Sequence, residues 1–268
     1  MTTENGLLGP DDPPVFEICN AEGTTPLLLI CDHASRVIPK SLNSLGLGSE
    51  VFDLHVAYDI GAANVTRMMA DRLNAPAVLA GYSRLLIDIN RVPGHPQSIP
   101  EISDGIDVPG NQGLNEGQQQ ERAEVFHAPY HNAVTNMLAH LWRIGPAPAL
   151  FSIHSFTPSI DGEDRKWDIG VLWNRDLRMP VPLIRMLREN GEKDGEKLFV
   201  GDNEPYSGRD LAYSIDLHAG AAGLANCAVE IRQDHLETED EAEHWATMLS
   251  DALREIMARE NVHKVQYF

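Results

Sequence analysis

Cysteine is nearly absent: Cys19, Cys31 and Cys227 are the three in 268 residues, and no two are closely spaced. This excludes a disulfide framework and a Cys-type zinc site, and reads as reduced core thiols of a cytoplasmic protein. Positive charge is also short. Forty Asp and Glu stand against 21 Lys and Arg, a formal net charge of -19, so the chain lacks the basic surface that nucleic-acid phosphates or an anionic membrane require. An anionic substrate must then be met by a few local arginines. No apolar stretch approaches the roughly 20 residues of a membrane span. The start, MTTENGLLGPDDPP, has neither the basic beginning nor the apolar run of a signal peptide.

What the chain does have is a set of short apolar runs that stop on polar residues. Leu27 to Cys31 is unbroken, as in a parallel strand covered on both faces, and it ends on Asp32-His33-Ala34-Ser35. Ala77–Ala80 reads as a second strand and Arg84–Arg91, RLLIDINR, as a third that ends on Asn90-Arg91. Ala147–Ile153 runs into His154-Ser155, and Ala225–Ile231 leads to Glu230 and Arg232 at its exit. Apolar spacing near 3.6 predicts helices from about Asp59 to Leu73, with Asp59 as the cap, from Glu121 to Trp142, from Val181 to Asn190 and from Thr238 to Glu260. Alternating strands and helices predict an α/β fold, a three-layer sandwich on a mainly parallel or mixed sheet. Residues 1–14 read as a flexible tail and 15–268 as one α/β hydrolase domain.

In such a sheet the carboxyl ends of the strands share one edge, so groups far apart in sequence converge there. Two histidines and a carboxylate form a common catalytic metal site. His33 and His154 supply the imidazoles; Asp59 is the first choice for the carboxylate, with Asp32 and His55 as competitors. Glu230, an acid at the end of an apolar strand, suits a general base. Its alternative is a structural ion pair with Arg232. Arg84, Asn90 and Arg91 form a local anion site, since Arg grips a carboxylate with two parallel hydrogen bonds. His218 is a further candidate donor to substrate, and Tyr58, Tyr82 and Tyr206 candidate pocket walls. The loop from Val92 to Gln118 is long enough to be functional.

Taken together, CDHAS at His33, YDIGA at Asp59, SRLLIDINR from Ser83 to Arg91, FSIHSF at His154 and VEIRQD at Glu230 resemble the N-formylglutamate amidohydrolase family. The resemblance implies a zinc-dependent, carboxypeptidase-like α/β hydrolase that releases formate from an N-formyl amino acid. It implies substrate contacts for Asn90 and Arg91, with Arg232 and His218 as further candidates, and carbonyl polarisation by Arg84. Similarity in layout to cell-wall amidases favours Asp59 as the third metal ligand and Glu230 as the base. Carboxypeptidases and aspartoacylases place a Glu ligand three residues after the first His, where this chain has Arg36. The segments FSIHSF and SIDLHAG point to a divergent branch. The expected partner is therefore a small N-acyl amino acid, with zinc or another divalent transition metal as cofactor. The alternatives are a deacylase or small peptidase on another N-acyl amino acid, or a metal or carboxylate binder without catalysis.

Overall fold

A computed structural model describes residues 6–160, 162–193 and 195–268. Its centre is a seven-stranded sheet built from β1 (Phe16–Cys19), β2 (Leu27–Cys31), β3 (Ala77–Ala80), β4 (Ala149–Phe156), β5 (Ile169–Leu172), β6 (Val200–Asp202) and β7 (Asn226–Arg232). The order across the sheet is β1-β3-β2-β4-β7-β5-β6. The inner strands β3, β2, β4 and β7 are mutually parallel, while β1 and the β5–β6 pair run against them.

Helices α1 (Ala62–Leu73), α3 (Pro180–Asn190) and α4 (Glu239–Met257) cover one face. The other face is covered by α2, a long helix from Glu116 to Ile144 interrupted by a π turn at Ala123–His127. This is the expected three-layer α/β sandwich. In β2, Leu27, Leu29 and Cys31 enter the core under α1, while Leu28 and Ile30 enter the core under α2. A strand buried on both faces has no polar alternation, which is why it reads as a solid apolar run.

The same alternation aims the site. Phe151 and Ile153 of β4 and Val229 and Ile231 of β7 face the α1 core, so His154 and Glu230 face the α2 side, and they are register partners on adjacent parallel strands. His154 sits inside β4, two residues before its end, and not at a strand terminus.

Two expectations are corrected. Arg84–Arg91 is not a strand: it is a loop whose Leu85, Leu86, Ile87 and Ile89 are buried. Side chains replace the missing ladder there. Ser83 Oγ donates to Ala57 O and accepts from Leu85 N–H, and Asp88 Oδ1 accepts from Asn90 N–H. Asp59 does not cap α1; Gly61 does, at φ +79, where a Cβ would lie 2.3 Å from Leu236. That left-handed turn, with no room for a Cβ, calls for glycine and frees the Asp59 side chain to face the sheet. Residues 1–5 of the expected tail lie outside the described residues, but from Leu7 onward the segment is held. Leu7 O accepts from Ser41, Pro13 O accepts from Tyr82, and Asp12 accepts the Lys40 N–H.

Candidate active site

Three segments meet at the carboxyl edge of the inner strands. His33 follows β2, and its carbonyl accepts the backbone N–H of Asp59 (2.9 Å), which fastens the loop before α1 to the strand end. Asp59 Oδ2 then lies 3.3 Å from His33 Nδ1 and 2.7 Å from His154 Nδ1. All three residues are buried, and one ligand atom from each lies within 4.8 Å of the others. This group could hold a metal ion.

The outer nitrogens support that reading. His33 Nε2 is 2.7 Å from Asp88 Oδ1; His154 Nε2 is 3.0 Å from Ser152 Oγ and 3.7 Å from Asp32 Oδ2. Asp32 is in turn fixed by the Tyr130 hydroxyl at 2.7 Å. One far nitrogen meets a carboxylate and the other a hydroxyl, while both near nitrogens turn to Asp59, an outer-shell arrangement that suits a histidine metal site. Asp32 and His55, the competitors for the third ligand, take other places: Asp32 backs His154, and His55 lies 3.9 Å from Asp59 Oδ1.

The electrostatics favour positive charge at this point. Burial and Arg84 depress the His33 pKa, but Asp88 and Asp59 more than offset them and bring it up to about 9. Burial pushes Asp59 up, yet His33 and His154 hold its carboxyl well below the usual range. Asp88 is likewise lowered against its burial by His33 and Arg84. Arg84 reaches both acids, with Nη1 3.3 Å from Asp59 and Nη2 3.4 Å from Asp88.

The cluster opens into a cavity of about 560 Å³ lined by His33, Asp59, His154, Arg84, Asn90, Arg91 and Glu230, among others. Glu230 stands on its wall with Oε2 closed off from solvent and unpartnered. Burial raises its pKa to about 8, against the pull of His154 and with the push of Asp59. Asn90 Oδ1 accepts the Ser214 N–H (3.0 Å), which orients the amide. Arg91 Nε is 3.9 Å from Asp88. Tyr206 joins the cavity; Tyr58 and Tyr82 do not. Five residues of the long loop, Gln97, Pro100, Ile102, Ser103 and Asp104, line it, as does Ile160.

Two predicted substrate contacts lie elsewhere. Arg232 alternates with Ile231 onto the Glu230 face but turns to Asp234 (2.8 Å) and Asp168 (3.6 Å), outside the cavity. It is therefore not the ion-pair partner of Glu230. His218 sits behind the site, 2.7 Å from His131. Arg36 pairs with Asp53 at the surface. The reading of the sequence missed Asp88 as the acid behind His33, and His127 and His131 as buried groups. Their only signal was the DIN spacing beside Arg84, and a helical stripe that looks solvated.

Burial holds His131 and His218 down to about 4, against about 6.5 in an unfolded chain. Between those values the unfolded chain binds more protons, so their contribution is complete above about pH 6.5 and is lost as pH falls towards 4. Unfolding free energy measured across that window should fall more steeply with acid in the wild type than in a His218→Gln variant, by up to about one proton, or about 1.4 kcal/mol per pH unit. Equal slopes would contradict the assignment.

A family model described as N-formylglutamate amidohydrolase matches residues 25–236. Among solved structures, the crystal structure of gene product Atu2144 from Agrobacterium tumefaciens superposes with a TM-score of 0.88 at 31% identity, covering 94% of this chain and 98% of that one. The N-formylglutamate amidohydrolase from Ralstonia eutropha JMP134 is similar at a TM-score of 0.63 and 19% identity, over 90% of this chain and 95% of that one, a likeness of fold. A search of curated proteins gives no match. No helix among the described residues is long and apolar enough to cross a membrane.

Proposed function

The chain belongs to the N-formylglutamate amidohydrolase family, and from that membership we propose that it is a zinc-dependent amidohydrolase acting on N-formyl or other small N-acyl amino acids. The observation that carries the reading is the convergence of His33, Asp59 and His154 at the floor of a cavity that also holds an unpartnered acid and two arginines. His33, Asp59 and His154 would hold the ion, whose chemistry here is to acidify water and polarise the amide carbonyl. Imidazole and carboxylate ligands suit zinc, and also other divalent transition metals.

The chain's own groups divide the remaining work. Glu230 takes a proton from the water that attacks the acyl carbon and passes it to the departing nitrogen as the C–N bond breaks, giving the free acid and the amino acid. A carboxyl raised to about 8 can both accept and return that proton near neutral pH. Arg84 presents fixed positive charge beside the reacting carbonyl, where preorganised donors are typically worth about 3 kcal/mol of barrier. Arg91 and Asn90 bind the substrate carboxylate. His218 and Arg232 have no part in this assignment.

Formate release from N-formyl amino acids, run beside acid release from N-acetyl and longer N-acyl analogues, tests it. Arg91→Ala is expected to raise KM about 10- to 100-fold with little change in kcat, the worth of a charge-assisted hydrogen bond of about 1.5–3 kcal/mol. A loss confined to kcat would remove Arg91 from substrate binding. A second reading, a deacylase for larger N-acyl amino acids using the same residues, is favoured by the cavity's volume of about 560 Å³ and the two half-exposed isoleucines, Ile102 and Ile160, on its wall. The chain-length profile separates the two.

A further inference from the structure

Behind the Asn90-Arg91 wall lies a row of buried imidazoles that the reaction does not use. Both π turns among the described residues contribute to it: Ala123–His127 carries His127 and leads into His131, and Asp216–Gly220 carries His218. His127 and His131 stand one helical turn apart with ring centroids 4.2 Å from each other, and the rings of His131 and His218 lie edge to edge with centroids 5.0 Å apart. π turns inside α-helices are uncommon and recur at functional sites.

The hydrogen bonds fix every proton in the row. Ile89 O can only accept, so His131 Nε2, 3.0 Å away, carries a hydrogen and donates it. His131 Nδ1 must then accept, and the group 2.7 Å from it, His218 Nε2, donates. His218 Nδ1 accepts in turn from the Thr135 hydroxyl at 3.3 Å. His127 Nε2 likewise donates to Arg91 O at 3.0 Å. Two neutral imidazoles thus hold the carbonyls on either side of Asn90, while Ser214 N–H holds the Asn90 side chain itself. Burial keeps His131 and His218 neutral at physiological pH, as the relay requires.

We infer that His131 and His127, with His218 donating to His131 Nδ1, are positioning residues that clamp the Ile89–Arg91 loop so that Asn90 and Arg91 present their side chains to the cavity. The loop lacks a strand's ladder, so its shape has to be imposed from outside. This rests on the proposal that Asn90 and Arg91 bind the substrate carboxylate, but the clamp itself can be tested without turnover.

His131→Phe keeps a ring and removes the donor; His131→Gln retains an N–H near the Nε2 position. Hydrogen exchange is read on the peptide spanning residues 86–92, and KM and kcat on N-formyl-L-glutamate and on the most active N-acyl amino acid found. In a folded His131→Phe variant, exchange in 86–92 should rise about tenfold while distant β-strand peptides stay unchanged, and KM should rise about tenfold with kcat within about twofold, since one hydrogen bond of about 1.4 kcal/mol is a factor of ten. His131→Gln should restore both. If His131→Phe does not fold, His127→Phe, which removes the donor to Arg91 O, should raise exchange in the same peptide. Unchanged exchange in 86–92 in the folded variant overturns the clamp whatever the activity. Raised exchange with unchanged KM overturns the link from loop to substrate. A wild type that hydrolyses no N-acyl amino acid overturns the proposed function and leaves the exchange result to decide the clamp.

Discussion

Asp59→Asn should leave the protein folded, with metal content falling from about one ion per chain to near none and turnover falling roughly a thousandfold or more. Asp59 Oδ2 is the one atom that faces the Nδ1 of both His33 and His154, so its charge is what the two imidazoles share. Lewis-acid stabilisation is worth several kcal/mol, and each 1.36 kcal/mol is a factor of ten in rate. Asn keeps the shape and an acceptor oxygen but not the charge, so the loss is one of metal affinity and not of packing. The backbone bond from Asp59 N–H to His33 O and the glycine turn at Gly61 remain, and they hold the loop in place. Elemental analysis and circular dichroism on the same preparation read both quantities. Full metal retention in a folded Asp59→Asn protein would move the carboxylate ligand elsewhere, with Asp32, behind His154, the first to examine.

Glu230→Gln should show the opposite pattern: metal retained, KM nearly unchanged, and kcat lower by about 10²- to 10⁴-fold, the range for loss of a general base. The side chain is isosteric, and the native carboxyl already resists ionisation because burial raises its pKa to about 8. At neutral pH a carboxyl raised that far is largely neutral, so a neutral, isosteric Gln changes little and thermal stability should hold. This outcome separates a base from a structural acid, since a carboxylate held for an ion pair would destabilise the fold when lost. Arg232, the only partner the sequence suggested, is engaged with Asp234 and Asp168 instead. A Glu230→Gln enzyme with more than a tenth of wild-type kcat would remove Glu230 from proton transfer.

Much of this was legible in the sequence because strand burial leaves a plain trace. An apolar run covered on both faces that stops on Asp-His, or that carries a His or a Glu near its end, has few bland explanations, and His33, His154 and Glu230 were found that way. Asp59 was found as a residue but for the wrong local reason. It was read as a helix cap, whereas Gly61 makes the turn and Asp59 belongs to the loop tied to His33. Arg84–Arg91 reads as a strand because its apolar run ends on polar residues, while the bonds that hold it as a loop, from Asp88 N–H to Ser98 O, Asn111 to Leu85 O and Arg122 to Leu86 O, are tertiary facts that no local period reports. A helix shows its periodicity but not which loop will cover its polar stripe, so nothing in the sequence marks His127 and His131 as buried. Of the four polar groups read at strand ends, His33 follows its strand, His154 and Glu230 lie inside theirs near the end, and Asn90-Arg91 belongs to a loop.

Metal dependence of amide hydrolysis at this one site is the centre of the account, and chelation followed by titration tests it most directly. Wild-type protein is dialysed against a chelator until elemental analysis finds no metal, assayed for acid release from its best N-acyl amino acid, then assayed again as Zn²⁺ is added. The account predicts that activity is lost and returns to its starting level at about one ion per chain, and that Asp59→Asn protein treated the same way recovers none. Chelated protein that is free of metal and still turns over at the original rate would contradict it.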